Sequence, residues 1–102
     1  MYIIGVTSCS TGIAHTYMAA EAIKKAAKKL GHTAKVETQG SIGIENKLSK
    51  KDIDSADLII ICADVALREP ERFNGKKTYN SATEAFIRNA SAALEKALAT
   101  VE

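Results

Sequence analysis

At 102 residues the chain fits one compact domain, with 46% apolar and 25% charged residues and a formal net charge of +2, a balance that describes a globular protein and is too weakly basic to imply a nucleic-acid partner. Three tyrosines, two phenylalanines and no tryptophan leave little material for a base-stacking surface. No apolar run approaches the roughly 20 residues a spanning helix needs, and the opening Met1-Tyr2-Ile3-Ile4 has no basic n-region or cleavage site, so a cytoplasmic protein without membrane insertion is expected.

Tyr2 to Thr7 is apolar and β-branched at nearly every position, as in a parallel strand covered on both faces. A helical pattern follows directly. Met18, Ala22, Ala26 and Leu30, with Ile23 beside them, mark its apolar side; Lys24, Lys25, Lys28 and Lys29 mark the solvent side, and Gly31 stops it. Thr33 to Thr38 reads as a second strand, and Gln39 to Gly43 as a glycine-bearing loop. Ser49 and Asp52 form a capping-box pattern, with Leu48 placed to staple against Ile53, which predicts a short helix over Lys50 to Ser55.

Asp57 to Ala63 is the most strongly apolar segment and should be the central strand, ending at Asp64. From Val65 to Lys77 the periodicity lapses around Pro70 and Asn74-Gly75, which predicts a loop with one short helical turn, and an edge strand is expected near Lys77 to Tyr79. Ser81-Ala82-Thr83-Glu84 reads as a capping box opening a helix that carries Phe86, Ile87, Ala90, Leu94, Ala97, Leu98 and Val101 to the chain end. The order strand, helix, strand, helix, strand, strand, helix predicts a Rossmann-like α/β domain: a single open, mainly parallel four-stranded sheet of order 2-1-3-4 flanked by helices.

In such a sheet the loops after the strand C-termini line one edge, and ligands bind where the strand order reverses, here between the first and third strands. Three loops converge there: Cys9 to His15, Gln39 to Gly43, and the segment from Asp64 onward. Cys9 therefore lies in a strand-loop-helix junction, where the first helical N–H groups have no intrahelical partner and favour negative charge. That setting lowers a thiol's pKa towards the reactive thiolate, and the same N–H groups suit phosphate oxygens. Gly12 lets the backbone approach an anion, the backbone of Ile13 and Ala14 opens the helix, and Ser10, Thr11 and Thr16 add hydroxyls. His15 can donate to a phosphate oxygen, tune the thiol or bond a backbone carbonyl. Gln39, Gly40, Ser41 and Asp64 supply a secondary loop beside it. Cys62, inside the apolar run, is expected to be a small core residue. No cysteine pair or histidine set has metal-ligand spacing, and no cofactor is called for.

Residue for residue this stretch resembles the fructose-type enzyme IIB domains of the bacterial phosphoenolpyruvate-dependent sugar phosphotransferase system. The matching residues are Cys9, Thr11 to Thr16, Met18 to Ala22, Val36 to Ser41, Gly43, Asp52-Ile53 and Ala56-Asp57, so the likeness runs over nearly the whole chain, 1–102. At Ser10 the family usually has proline. The resemblance implies a phosphoryl relay, in which Cys9 takes a phosphoryl group from a phosphohistidine of enzyme IIA and passes it to a fructose-like sugar held by the membrane component, enzyme IIC. Two other functions can use such a loop. A cysteine phosphatase or arsenate reductase would resemble a Cys-x5-Arg pattern, in which arginine grips the phosphate; the corresponding residue here is His15. A redox-sensing module would want a resolving cysteine near Cys9, and Cys62 is far away in sequence.

Overall fold

The computed structural model describes residues 1–8, 13–40 and 43–101, with only the backbone of residues 13 and 14 described. Its strands are β1 (Tyr2–Ser8), β2 (Thr33–Gly40), β3 (Gly43–Glu45), β4 (Leu58–Ala63) and β5 (Tyr79–Ser81); its helices are α1 (Ile13–Lys29), α2 (Lys50–Ser55), α3 (Thr83–Arg88) and α4 (Ala90–Ala99), with a 3-10 turn at Pro70–Phe73. One sheet runs in the order β3-β2-β1-β4-β5. β1 lies parallel between β2 and β4, in register from Tyr2 opposite Thr33 to Ser8 opposite Gln39, and from Ile3 opposite Leu58 to Ser8 opposite Ala63. β5 adds parallel to β4.

The expected order 2-1-3-4 is present in the four parallel strands, and a fifth strand joins them. β3 pairs antiparallel with β2 through Gly40 opposite Gly43, with only residues 41 and 42 between them. Strand β2 thus runs two residues past the predicted end at Thr38, and the segment read as a loop is largely a hairpin. Three residues with only Ile44 as a large apolar side chain give too short a pattern to signal a strand. The predicted edge strand is displaced two residues, to Tyr79–Ser81.

The sheet separates two cores. Ile3, Val36, Leu58, Ile60 and Cys62 pack under α1, α3 and α4 with Phe86, Leu94 and Leu98. Ile4, Val6, Ile59 and Ile61 pack on the other face with Leu48, Ile53 and Phe73. The continuous apolar character of β1 and β4 follows from this double cover.

Helix α1 meets the sheet through Thr16, Ala19, Ala20, Ile23, Ala26 and Ala27, all buried, whereas Met18 and Leu30 are 50% and 39% exposed. The expected apolar row is therefore rotated. A strict four-residue step drifts around the helix, while alternating steps of three and four stay on one face. Alanine dominates the inner face and the lysines lie outside, as expected. Gly31, at φ 82°, ends the helix: its N–H donates to the Lys28 carbonyl at 3.1 Å and that of His32 to the Ala27 carbonyl at 2.8 Å, the paired bonds of a Schellman cap.

Helix α2 begins as read from the sequence. Ser49 Oγ accepts from the Asp52 N–H, and Asp52 Oδ2 accepts from the Ser49 N–H. Asp52 also accepts from Lys35 and from the Tyr2 hydroxyl, and Lys35, then the Ser49 N–H and Tyr2, hold its carboxyl well below the usual range. The C-terminal helix departs from expectation twice. Ser81 ends β5, and Ala82 is the N-cap of α3 without a side-chain bond, so that capping box is not formed. Asn89, at φ −152°, splits the helix; its Oδ1 accepts from the Ala92 N–H and starts α4. Asparagine competes for backbone donors in this way, and the period in apolar residues hides it.

Candidate functional site: the C-terminal edge of the sheet

Strands β1, β2 and β4 finish level with one another, Ser8 lying between Gln39 and Ala63. The Asp64 N–H donates to the Ser8 carbonyl at 2.9 Å, extending that pairing one step beyond β4. The chain leaves the middle of this edge after Ser8, and α1 starts only four residues later at Ile13. Cys9, Ser10, Thr11 and Gly12 occupy that interval and lie outside the described residues, as does Ser41 of the secondary loop.

Ile13 and Ala14 form the start of α1, and His15 is exposed on its first turn. Thr16 is buried; its carbonyl accepts from Thr7 Oγ1 at 3.0 Å, and its own hydroxyl has no hydrogen-bond partner among the described residues. Thr38 on β2, in register with Thr7, has a buried hydroxyl in the same condition. One turn along α1, the Tyr17 hydroxyl donates to Glu45 of β3, tying the helix to the hairpin, and that bond raises the phenol's pKa.

Of the secondary-loop residues, Gln39 and Gly40 belong to β2 itself. Gln39 is buried and its amide is fully engaged: Nε2 donates to Glu37 Oε2 at 2.8 Å and to the Arg68 carbonyl at 3.1 Å, while Oε1 accepts from the Arg68 N–H at 2.7 Å. It positions the segment after β4 and has no donor left for a ligand. Asp64 is exposed at the exit of β4, and its carboxylate accepts from the Thr83 N–H at 3.2 Å and the Thr83 hydroxyl at 2.7 Å. It therefore caps α3, the role the sequence pattern gave to Ser81.

Glu37 and Arg72 were not signalled by the sequence. Glu37 is completely buried, and Arg72 donates to it in a two-pronged pair at 2.7 and 2.8 Å. The Leu48 N–H donates to Oε1 at 2.9 Å. Burial alone would raise the Glu37 pKa; the bonds from Arg72, Gln39 and the Leu48 N–H outweigh it and leave the carboxyl below its ordinary value. The pair closes 35 residues of chain, which no local pattern can reveal. A charged residue between strand positions that face the core is the sole hint.

Arg68 is the third unsignalled residue. Its backbone is held on both sides by Gln39, and Glu69 beside it adopts left-handed geometry at φ 52° before Pro70. The side chain is exposed and lies over Gly43, with Nη1 3.7 Å from where a β-carbon on that glycine would sit. Its guanidinium forms no ion pair among the described residues. None of the described helices is long and apolar enough to cross a membrane.

Residues 4–96 match the family model for the phosphotransferase system (PTS), lactose/cellobiose-specific IIB subunit. The chain is 48% identical to the PTS system fructose-like EIIB component 2 of Escherichia coli K12, over 92% of its own length and 89% of that protein. It is 50% identical to a PTS system fructose-specific EIIB'BC component of Xanthomonas campestris, where it spans 95% of itself and only 17% of the relative. Among solved structures it superposes on a domain of fruA from Bacillus subtilis with a TM-score of 0.84 at 46% identity, covering 96% of this chain and 93% of that one. The predicted fructose-specific IIB from Escherichia coli gives a TM-score of 0.91 at 34% identity, with 99% and 89% covered. With the sheet, its reversal point and these likenesses in agreement, the chain belongs to the IIB family of the sugar phosphotransferase system and is of the fructose type.

Proposed function

We propose that this IIB domain, residues 1–102, carries a phosphoryl group on Cys9. The observation that supports the reading best is the placement of the interval 9–12: it leaves the sheet at Ser8, between the ends of β2 and β4, and enters the 17-residue helix α1 at Ile13. An anion at that junction meets the unpaired N–H groups and the positive end of a long helix. Thr16 adds a buried hydroxyl with no partner among the described residues, and a buried hydroxyl left unpaired is costly enough that an acceptor is favoured nearby.

In the proposed first step the Cys9 thiolate attacks the phosphorus of a phosphohistidine on enzyme IIA. The S–P bond forms, the N–P bond breaks, and the bonding pair returns to the imidazole nitrogen, which takes up a proton. In the second step a hydroxyl oxygen of a fructose-like sugar, held by enzyme IIC, attacks the same phosphorus. The O–P bond forms, the thiolate leaves with the S–P pair, and the hydroxyl proton passes to a base or water. The protein's share of both steps is positioning and stabilisation of charge on the equatorial oxygens. His15, exposed on the first turn of α1, and the backbone of residues 10–14 are the proposed donors, with Gly40 and Ser41 proposed as the secondary loop. The proposed carrier works at the cytoplasmic face of the membrane when engaged with enzyme IIC.

The test is intact-mass analysis after incubation with phosphoenolpyruvate, the general phosphotransferase proteins and a matching enzyme IIA. One added phosphoryl group is expected on the wild type and none on Cys9→Ala. An unmodified wild type, or equal labelling of the alanine variant, would refute the assignment.

A further inference from the structure

We propose that Arg68 contacts the phosphoryl group while it is on Cys9, supplying the cation that the cysteine loop itself lacks. The inference rests on the carrier reading above and adds to it a residue outside the cysteine loop. Three observations converge on it.

The first is placement. Ser8, the last described residue before Cys9, is in register with Gln39, and Gln39 grips the Arg68 backbone by both its N–H and its carbonyl. One side chain therefore separates the Arg68 backbone from the strand position beside Ser8. The guanidinium lies over Gly43, the first residue after the interval 41–42, on the same edge of the sheet.

The second is that the arginine is held there at a cost. Glu69 occupies the left-handed region at φ 52°, which disfavours a side-chain-bearing residue by about 1–2 kcal/mol. Behind it stand the buried carboxylate of Glu37 and the Arg72 pair, with Arg72 Nε also donating to the Glu69 carbonyl at 3.0 Å. Strain that the surroundings enforce in this way is a feature of functional segments.

The third is that the Arg68 guanidinium is unpaired among the described residues. Arg72, four residues on, spends its guanidinium on Glu37, and Lys47 and Lys76 are paired with Glu69 and Asp54. The Arg68 guanidinium makes no ion pair or hydrogen bond among the described residues, and it is exposed. A planar fork with free donors, on a restrained backbone, is suited to a tetrahedral dianion. The tyrosine–glutamate bond ties α1 to β3, the strand that begins at Gly43.

The experiment measures, by rapid quench, the rate of phosphoryl transfer from phosphorylated enzyme IIA to wild type, Arg68→Ala and Arg68→Lys, with thermal unfolding of each. Because the exposed guanidinium makes no ion pair or hydrogen bond among the described residues, both variants should melt with the wild type. Arg68→Ala should transfer about a hundredfold more slowly, the lower end of what removing one charge-stabilising donor costs, and Arg68→Lys should recover part of the rate by keeping the charge without the fork. A wild type that accepts no phosphoryl group on Cys9 overturns the carrier reading and this inference with it. A wild type that is phosphorylated while Arg68→Ala keeps its full rate overturns the role of Arg68 alone. A lowered melting temperature in either variant also overturns it, by showing that the side chain is spent on structure.

Discussion

Replacing Arg72 with methionine removes one half of a buried ion pair and leaves the other half with no route to water. Glu37 has no exposed side-chain surface, whereas Arg72 retains 15%. The carboxylate would keep two donors, from Gln39 and the Leu48 N–H, and lose the two from Arg72 at 2.7 and 2.8 Å. Breaking a buried pair by deleting one partner costs about 3–5 kcal/mol, and the two remaining hydrogen bonds place Arg72→Met near the lower figure. At about 4–8 °C per kcal/mol for a domain of this size, the midpoint should fall by roughly 12–24 °C. Glu37→Gln leaves the partly exposed member, which can hydrate and turn towards Glu69 or Glu71, so it should cost less, about 2 kcal/mol.

The sign of the pH dependence separates this account from simple loss of packing. In the wild type the Glu37 pKa is lowered from its ordinary 4.5. The stability it confers is therefore complete above about pH 4.5 and is lost as the pH falls through the lowered folded value. Without Arg72, burial dominates and the carboxyl titrates above its unfolded value; the variant is then relieved by protonation as the pH falls. The gap between wild type and Arg72→Met should accordingly be widest near pH 7 and narrow towards pH 4. Urea unfolding followed by circular dichroism across that range, with the double variant closing the cycle, measures both effects. A gap that stays constant with pH, or single-variant costs that simply add, would refute the reasoning.

Three further outcomes follow from local geometry. Gly31→Ala puts a β-carbon at φ 82° and should cost about 1–2 kcal/mol by urea titration, the penalty of left-handed backbone; no change would mean that the cap rearranges freely. Ser49→Ala removes the acceptor for the Asp52 N–H and should cost about 1 kcal/mol, a loss that Ser49→Asp largely avoids. Cys62 is buried and its thiol donates to the Ala82 carbonyl at 3.3 Å, so iodoacetamide at neutral pH should add one adduct to the native chain and two in denaturant. Two adducts on the native protein at similar rates would contradict both the burial of Cys62 and the activation proposed for Cys9.

The parallel core was legible because its signals are local. β1 and β4 announce themselves as unbroken apolar runs, Gly31 as a stop after lysines, and Ser49 with Asp52 as a cap whose two bonds both form. Legibility failed where a second element decides the outcome. Ser81 carries the sequence pattern of a cap, but Asp64 reaches the Thr83 N–H first from the end of the neighbouring strand β4. Met18 fits an apolar row, but the shape of the sheet selects Ala19 and Ile23 for burial. At the site, the glutamine placed in the secondary loop is spent on holding Arg68. Glu37 and Arg72, which stand behind it, are too far apart in sequence for any motif to join them.

The two faces of the sheet solve different problems. Under α1 the contacts are almost wholly apolar, and small alanines bring the helix close to β1 and β2. Beneath the segment from Asp64 to Phe73, β2 instead presents Glu37 and Gln39, and the segment is secured from below by charge and amide bonds. A buried ion pair is a poor source of stability compared with a packed hydrophobe, and its use here is better explained by geometry. Apolar packing tolerates sliding, whereas a two-pronged pair and an amide bonded to both backbone groups of Arg68 admit one position. For the carrier proposed above, whose edge must stay open to a phosphoryl donor and then an acceptor, nothing can press on that edge from above. Directional bonds from beneath hold the segment in place and leave its outer surface uncovered.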